Sequence, residues 1–191
     1  MDLLSLKTAF YPCCGKDIEI PLLLLNNFVE RVIFCDIKDD NFKRFKIDTN
    51  KSNNIFKNTR FITGGVQEVI KCLQRIDVLF YRCDSEGEGG SNLKVLGDFF
   101  LQMILDRMPQ DGGLIITEGS NSRQHNFEKM TRHNGLIKFG WHMGPHPTTP
   151  TIRPPDGRSY CNDGLLRVIQ VNPIIGEKGP PPHFDLRAIY F

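Results

Sequence analysis

Ala9-Phe10-Tyr11-Pro12-Cys13-Cys14-Gly15-Lys16-Asp17, taken with Val32-Ile33-Phe34-Cys35-Asp36, is the stretch on which the fold turns. The first piece is a short apolar run that breaks into a loop of small residues. Residues 18–28 follow with helical character, and a second apolar run ends on an acid, Asp36, about 20 positions after Gly15. The order is strand, tight loop, helix, strand, acid. In α/β folds such a loop lets backbone N–H groups approach a ligand at the start of a helix. A carboxylate after the second strand accepts the hydroxyl protons of a ribose. The pattern predicts a Rossmann-like domain that holds an adenosyl-type cofactor, and Asp36 argues against a 2′-phosphate on it.

Working outward, the alternation continues. Residues 7–11 are expected as the first strand and 31–35 as the second. Between them 17–28 suits a helix, with Asp17 placed to cap it and Pro21 confined to its first turn. Residues 38–58, rich in Lys, Asn and Asp, suit a surface connection with one short helix. A third strand at 60–63 leads through a Gly64-Gly65 turn into a helix at 66–73. A fourth strand at 77–83 ends on Asp84, before the Gly-rich Ser85-Glu86-Gly87-Glu88-Gly89-Gly90-Ser91. Residues 92–108 carry apolar side chains at helical spacing, and a fifth strand at 114–117 ends on Glu118. Strands separated by helices argue for a parallel sheet covered on both faces.

Beyond residue 120 the pattern changes. A helix at 126–133 and a strand at 136–141 precede 144–164, a long segment of Pro, Gly, Thr and Asp. Strands at 165–171 and 186–191, with no long helix between them, are expected to pair antiparallel. The expected architecture is one domain, 1–191: a Rossmann-like three-layer α/β sandwich with a mostly parallel seven-stranded sheet and an antiparallel C-terminal strand pair.

Composition bounds the function classes. The 191 residues are 40% hydrophobic and 24% charged, ordinary values for a globular chain with a sizeable core. Net charge is +2, from 24 basic and 22 acidic residues, so no strong attraction to polyanions is implied. The Leu22 to Leu25 run is far short of the ~20 residues a membrane span needs. Met1-Asp2-Leu3-Leu4 carries an acid where a signal peptide carries basic residues, and a cytoplasmic protein is expected. The six cysteines, at 13, 14, 35, 72, 83 and 161, show no repeated C-x-x-C spacing. Reduced thiols are expected, with Cys35, Cys72 and Cys83 acting as small buried hydrophobes.

Five strand–helix units followed by an antiparallel strand pair resemble the class I S-adenosylmethionine-dependent methyltransferases. The resemblance spans residues 7–191. Tyr11-Pro12-Cys13-Cys14-Gly15 resembles the loop that wraps the methionine part of the cofactor in that family, and Asp36 matches the acid that holds the ribose. Gly64-Gly65-Val66-Gln67 stands where the adenine is contacted, and Cys83-Asp84-Ser85 near the methyl group and the substrate. The resemblance thus implies S-adenosylmethionine as cofactor, held by Tyr11, Pro12, Cys13, Cys14, Gly15, Asp17, Asp36, Ile37, Gly65, Val66, Asp84 and Ser85. Asp84 and Glu86 are the candidate catalytic acids, and a small molecule the expected acceptor. Two departures stand out. The usual glycines of the loop are reduced to Gly15, and Cys13 and Cys14 fit only where φ is negative. The fourth strand is not followed by Asn-Pro-Pro-Tyr or Asp-Pro-Pro-Tyr, so amino-methylation of adenine or glutamine is not supported.

Other chemistries are weighed against these residues. Two carboxylates in Glu86-Gly87-Glu88-Gly89-Gly90 would repel a phosphate, which leaves a surface loop or a lid at the carboxyl end of the sheet. His142 and His146 have i,i+4 spacing, but Gly144, Pro145 and Pro147 forbid the helix that would bring them together, and no metal site is expected. No Gly-x-Ser-x-Gly elbow supports a serine hydrolase. Lys43, Arg44, Lys46 and Lys51 make a modest basic patch of the kind a solvated face carries. A module that binds the cofactor or a partner without turnover is the alternative, carried by Cys13-Cys14. A nicotinamide-dependent oxidoreductase lacks its Gly-x-Gly-x-x-Gly.

Overall fold

The structure, a computed structural model, describes residues 7–15, 17–25, 29–38, 58–81, 98–118, 140–143, 151–152 and 166–173. In chain order they form β1 (Thr8–Pro12), α1 (Glu19–Leu25), β2 (Arg31–Asp36), β3 (Thr59–Thr63), α2 (Val66–Cys72), β4 (Val78–Tyr81), α3 (Asp98–Leu105), β5 (Gly113–Glu118), β6 (Trp141–Met143), β7 (Thr151–Ile152) and β8 (Leu166–Pro173). One sheet runs β3-β2-β1-β4-β5-β8-β6, with β7 also on β8. The first five of these are parallel, and β8 is antiparallel to β5, β6 and β7. This is the α/β Rossmann-like architecture expected from the sequence.

The parallel strands are apolar on both faces because both faces are covered. Ala9 and Tyr11 of β1, Val32 and Phe34 of β2, and Val78 and Phe80 of β4 pack with Ile18, Leu22 and Leu25 around α1. The alternate residues Phe10, Ile33, Cys35, Leu79 and Tyr81 pack on the opposite side with Val69 and Ile70 of α2 and Phe100, Leu101, Ile104 and Leu105 of α3. The period of two along each strand sorts the chain into two cores. In α1 the first turn closes as the Leu22 N–H donates to the Ile18 carbonyl at 3.2 Å, and Pro21 sits where no N–H is required.

Asp77 ties the amino ends of three strands together. Its side chain is wholly buried. Oδ2 accepts the N–H groups of Lys7 (3.2 Å) and Thr8 (2.9 Å), and Oδ1 accepts Arg75 Nε at 2.7 Å with Nη2 at 2.5 Å. Its own N–H donates to the Thr8 carbonyl at 2.8 Å, and its carbonyl accepts the Leu114 N–H at 2.9 Å. Beside it the chain turns through Gly112, at φ +106, where a Cβ would stand 2.4 Å from the Val171 carbonyl oxygen.

Several expectations change. The strand expected at 165–171 does not need 186–191, which lies outside the described residues, because β5, β6 and β7 all pair with it. Within the segment 144–164, Thr151 and Ile152 pair with Arg167 and Leu166, a two-residue contact that the Pro-rich composition hides. Helix α1 begins two residues later than expected, at Glu19. Cys72, the last residue of α2, is exposed rather than buried. The basic patch at 43–51 lies outside the described residues. No helix among the described residues is long and apolar enough to cross a membrane.

Asp77→Ala strands two backbone donors and a guanidinium, and a loss of about 3 kcal/mol or more is expected by denaturant titration. A loss under about 1 kcal/mol contradicts the arrangement. Gly112→Ala should lower stability by about 2 kcal/mol or more through backbone strain and overlap with Val171.

Candidate cofactor site

In open parallel sheets the loops at the carboxyl ends of the strands make the ligand crevice. Here the loops after β1, β2 and β3 meet at one residue, Asp36. Asp36 ends β2, half-buried. Its Oδ2 accepts the Gly15 N–H at 2.9 Å, and its Oδ1 accepts the Lys38 N–H at 2.9 Å. Its backbone carbonyl accepts the Gly64 N–H, also at 2.9 Å. A single residue therefore sets the positions of all three loops. Each carboxylate oxygen has two lone pairs, so the two N–H bonds leave acceptor capacity on both.

The loop after β1 is built from two left-handed residues. Cys13 has φ +54 and Gly15 φ +55. The negative φ expected at Cys13 is thus corrected: a position that favours glycine carries a side chain, at a cost of about 1–2 kcal/mol. The Cys14 N–H extends the parallel ladder to the Cys35 carbonyl at 3.1 Å, and the Asp17 N–H closes a turn onto the Cys14 carbonyl at 2.9 Å. Below the loop the Tyr11 ring is fully buried, edge-on to Phe80 at 5.1 Å and tilted to Phe34 at 6.0 Å. Its hydroxyl donates to Asp17 Oδ2 at 3.0 Å. Burial, with the Asp36 charge adding to it, pushes the Cys35 thiol up to about 12, so it stays protonated and donates to the Gly64 carbonyl at 3.5 Å.

The expected site residues separate into two groups. Tyr11, Pro12, Cys13, Cys14 and Val66 have buried side chains, so at the surface they offer backbone and support from below. Gly15, Asp17, Asp36, Ile37 and Gly65 reach the surface. Ile37 is 56% exposed, large for an isoleucine. Gly65, the first cap of α2, has open space where a Cβ would be. Together Asp36, Ile37 and Gly65 offer a carboxylate beside an uncovered apolar surface. Asp84, Ser85 and Glu86 lie outside the described residues. Gly64, which the sequence reading places in the turn near the adenine, is pinned between Asp36 and Cys35, a pairing of distant residues that spacing alone does not reveal.

Two measurements check this geometry. Cys13→Gly exchanges relief of strain for a lost buried thiol, so its stability should lie within about 1 kcal/mol of wild type, whereas the β-branched Cys13→Val should lose about 2 kcal/mol or more. Alkylation of the folded protein at mildly alkaline pH, followed by mass spectrometry, should label exposed Cys72 before Cys35. The raised thiol pKa is neutral to stability below the usual thiol value of 9.0 and costs stability as pH climbs from there towards about 12, because only the unfolded chain ionises. Early labelling of Cys35 would contradict its burial.

No family model matches the chain, and no curated protein matches it by sequence. Solved structures match in fold. Precorrin 8w decarboxylase of Methanobacterium thermoautotrophicum is similar at 16% identity and a TM-score of 0.53, over 87% of this chain and 82% of that one. Precorrin-6y C5,15-methyltransferase of Geobacter metallireducens is similar at 12% identity and a TM-score of 0.54, over 89% and 84%. An rRNA methylase of Streptococcus thermophilus is similar at 11% identity and a TM-score of 0.52, over 91% and 92%. The chain thus shares the α/β fold of these proteins, a mostly parallel sheet with an antiparallel strand between the fifth parallel strand and the edge.

Proposed function

We propose that this protein is an S-adenosylmethionine-dependent methyltransferase acting on a small-molecule acceptor. The observation that carries the reading is Asp36, a carboxylate with remaining acceptor capacity that also holds the amide of Gly15, beside the exposed Ile37 and the open surface at Gly65. These residues fit an adenosyl group. Asp36 accepts the two ribose hydroxyls, and Ile37 with Gly65 covers one face of the adenine. When bound, the cofactor supplies a methyl group activated on a sulfonium, for transfer in line to a lone pair of the acceptor.

The chain's own part is then positioning and exclusion of water. The buried ends of β1 and β4 underlie the strand-end crevice, and the loop after β1 is the part of the chain that holds the ligand there. An acceptor that must lose a proton needs a base, and Asp84 or Glu86 is the candidate by its place after the fourth strand. The similar structures include proteins named for precorrin and for rRNA, so fold does not choose the acceptor. A net charge of +2 supplies no strong attraction to a polyanion, which is the support for a small molecule.

A binding module without turnover is the second reading. It is favoured by Cys13, whose side chain stands at a left-handed position where the family has glycine.

Calorimetric titration with S-adenosylhomocysteine tests the cofactor. Saturable one-to-one binding in the micromolar range is expected, and Asp36→Ala should weaken it about tenfold or more. Unchanged affinity in that variant removes Asp36 from the site. Binding by the wild type with no methyl transfer across an acceptor screen supports the second reading.

A further inference from the structure

On one face of the sheet three neighbouring strands change character at the same level. Along β4, Leu79 is followed on that face by Tyr81, and along β5 Ile115 is followed by Thr117. Along β8, which runs the other way, Ile169 is preceded by Arg167. Register puts the three polar residues in one row: Tyr81 opposite Thr117, and Thr117 opposite Arg167. Thr151 of β7 extends the row on the far side of Arg167. The next row in from the strand ends, Phe80, Ile116 and Val168, is apolar. The polar row stands at the carboxyl ends of β4 and β5, on the side of the strand order away from Asp36. Apolar strands that end in a few polar residues at the carboxyl end of a parallel sheet have the composition of a ligand site.

Arg167 is the only Lys or Arg in β4, β5, β6, β7 and β8. At its level β8 has β5 on one side and β7 on the other, so it is an interior strand there. A guanidinium on an interior strand calls for an anion. The one acid of these strands, Glu118, shares the opposite face with Leu114 and Ile116 by the same alternation. Asp98 is the first residue of α3, the helix that covers the face of Arg167, and the positive end of that helix already favours it. Resting on the methyltransferase reading above, we propose that Arg167 fixes the class of acceptor: a small molecule that carries an oxyanion, either a carboxylate or a phosphate monoester. With methyl transfer at β4, which the candidate base Asp84 follows, β8 lies two strands further along the sheet. The oxyanion is then about 10 Å from the methylated atom, within the length of a small molecule.

Wild type, Arg167→Gln and Arg167→Lys are titrated calorimetrically with S-adenosylhomocysteine, with thermal melts to show that each is folded. Each complex is then titrated with benzoate, phenyl phosphate and benzamide, the last a neutral match for the first. The wild-type complex should bind one of the two anions with a Kd of about a millimolar, and benzamide about tenfold more weakly or not at all. The better anion names the oxyanion. Arg167→Gln should lose about tenfold in affinity for it and Arg167→Lys a smaller part, with S-adenosylhomocysteine affinity unchanged in both. Benzamide bound as well as the anions, no anion bound, or an anion bound by Arg167→Gln as tightly as by wild type overturns the proposal and leaves the cofactor reading standing. Failure of both variants to fold marks an ion pair within the protein, with Asp98 as the acid, and overturns it as well. A folded wild type that does not bind S-adenosylhomocysteine overturns the cofactor reading and the proposal together.

Discussion

A buried carboxylate at one end of the sheet and a half-buried one at the other organise this molecule, and the buried one comes first in importance. Asp77 sits in the core with both oxygens engaged, by the backbone of Lys7 and Thr8 and by the guanidinium of Arg75. Through its own backbone it also joins β1 to β5. A charge removed from water is tolerated only when it is fully paired, and full pairing here requires β1, β4 and β5 to start side by side. That shared origin sets the register of the parallel strands. It therefore fixes which residues arrive together at the far end.

Asp36 repeats the device at the carboxyl end with a different result. It is only half-buried, its partners are loop amides rather than a cation, and its oxygens retain acceptor capacity. The same bonds that could simply close a turn also hold three loops in place around an exposed apolar residue. Rigid backbone around a partly open carboxylate leaves that carboxylate preorganised to accept a further hydrogen bond. The left-handed Cys13 fits the same picture, since backbone strain persists only where its surroundings over-determine it. The packing of Tyr11 and Cys35 beneath the loop supplies that over-determination.

Fold and chemistry separate in this protein as in others. Proteins named as a decarboxylase, a methyltransferase and an rRNA methylase share its architecture at 11–16% identity. Chemistry is set by the furniture that a chain carries on its fold. In this chain that furniture is a pair of acids on either side of one turn, a thiol-bearing loop, and an isoleucine facing outward.

Much of this was legible from one strand of reasoning. Apolar runs of four to six residues, split by helical stretches and closed by Asp36 or Glu118, were enough to predict a parallel sheet, because only strands buried on both faces are apolar at every position. The place of Asp36 after the second strand followed from the same count. Other features depend on contacts far apart in the chain. Thr151 and Ile152 are strand residues only because Leu166 and Arg167 lie opposite them, and Pro-rich neighbours conceal this. Cys13 looked compatible with ordinary φ until the ladder from Cys14 to Cys35 forced the chain through the left-handed region. Tyr11 belongs to the loop in sequence but to the core in space, where Phe34 and Phe80 claim its ring and leave only the hydroxyl to Asp17. The sequence by itself determined the class of fold and the acid at the end of β2, because periodicity and spacing are local properties. The tertiary structure alone decided which of these side chains reach the surface at the strand ends and which support them from below, because burial is a property of the assembled sheet.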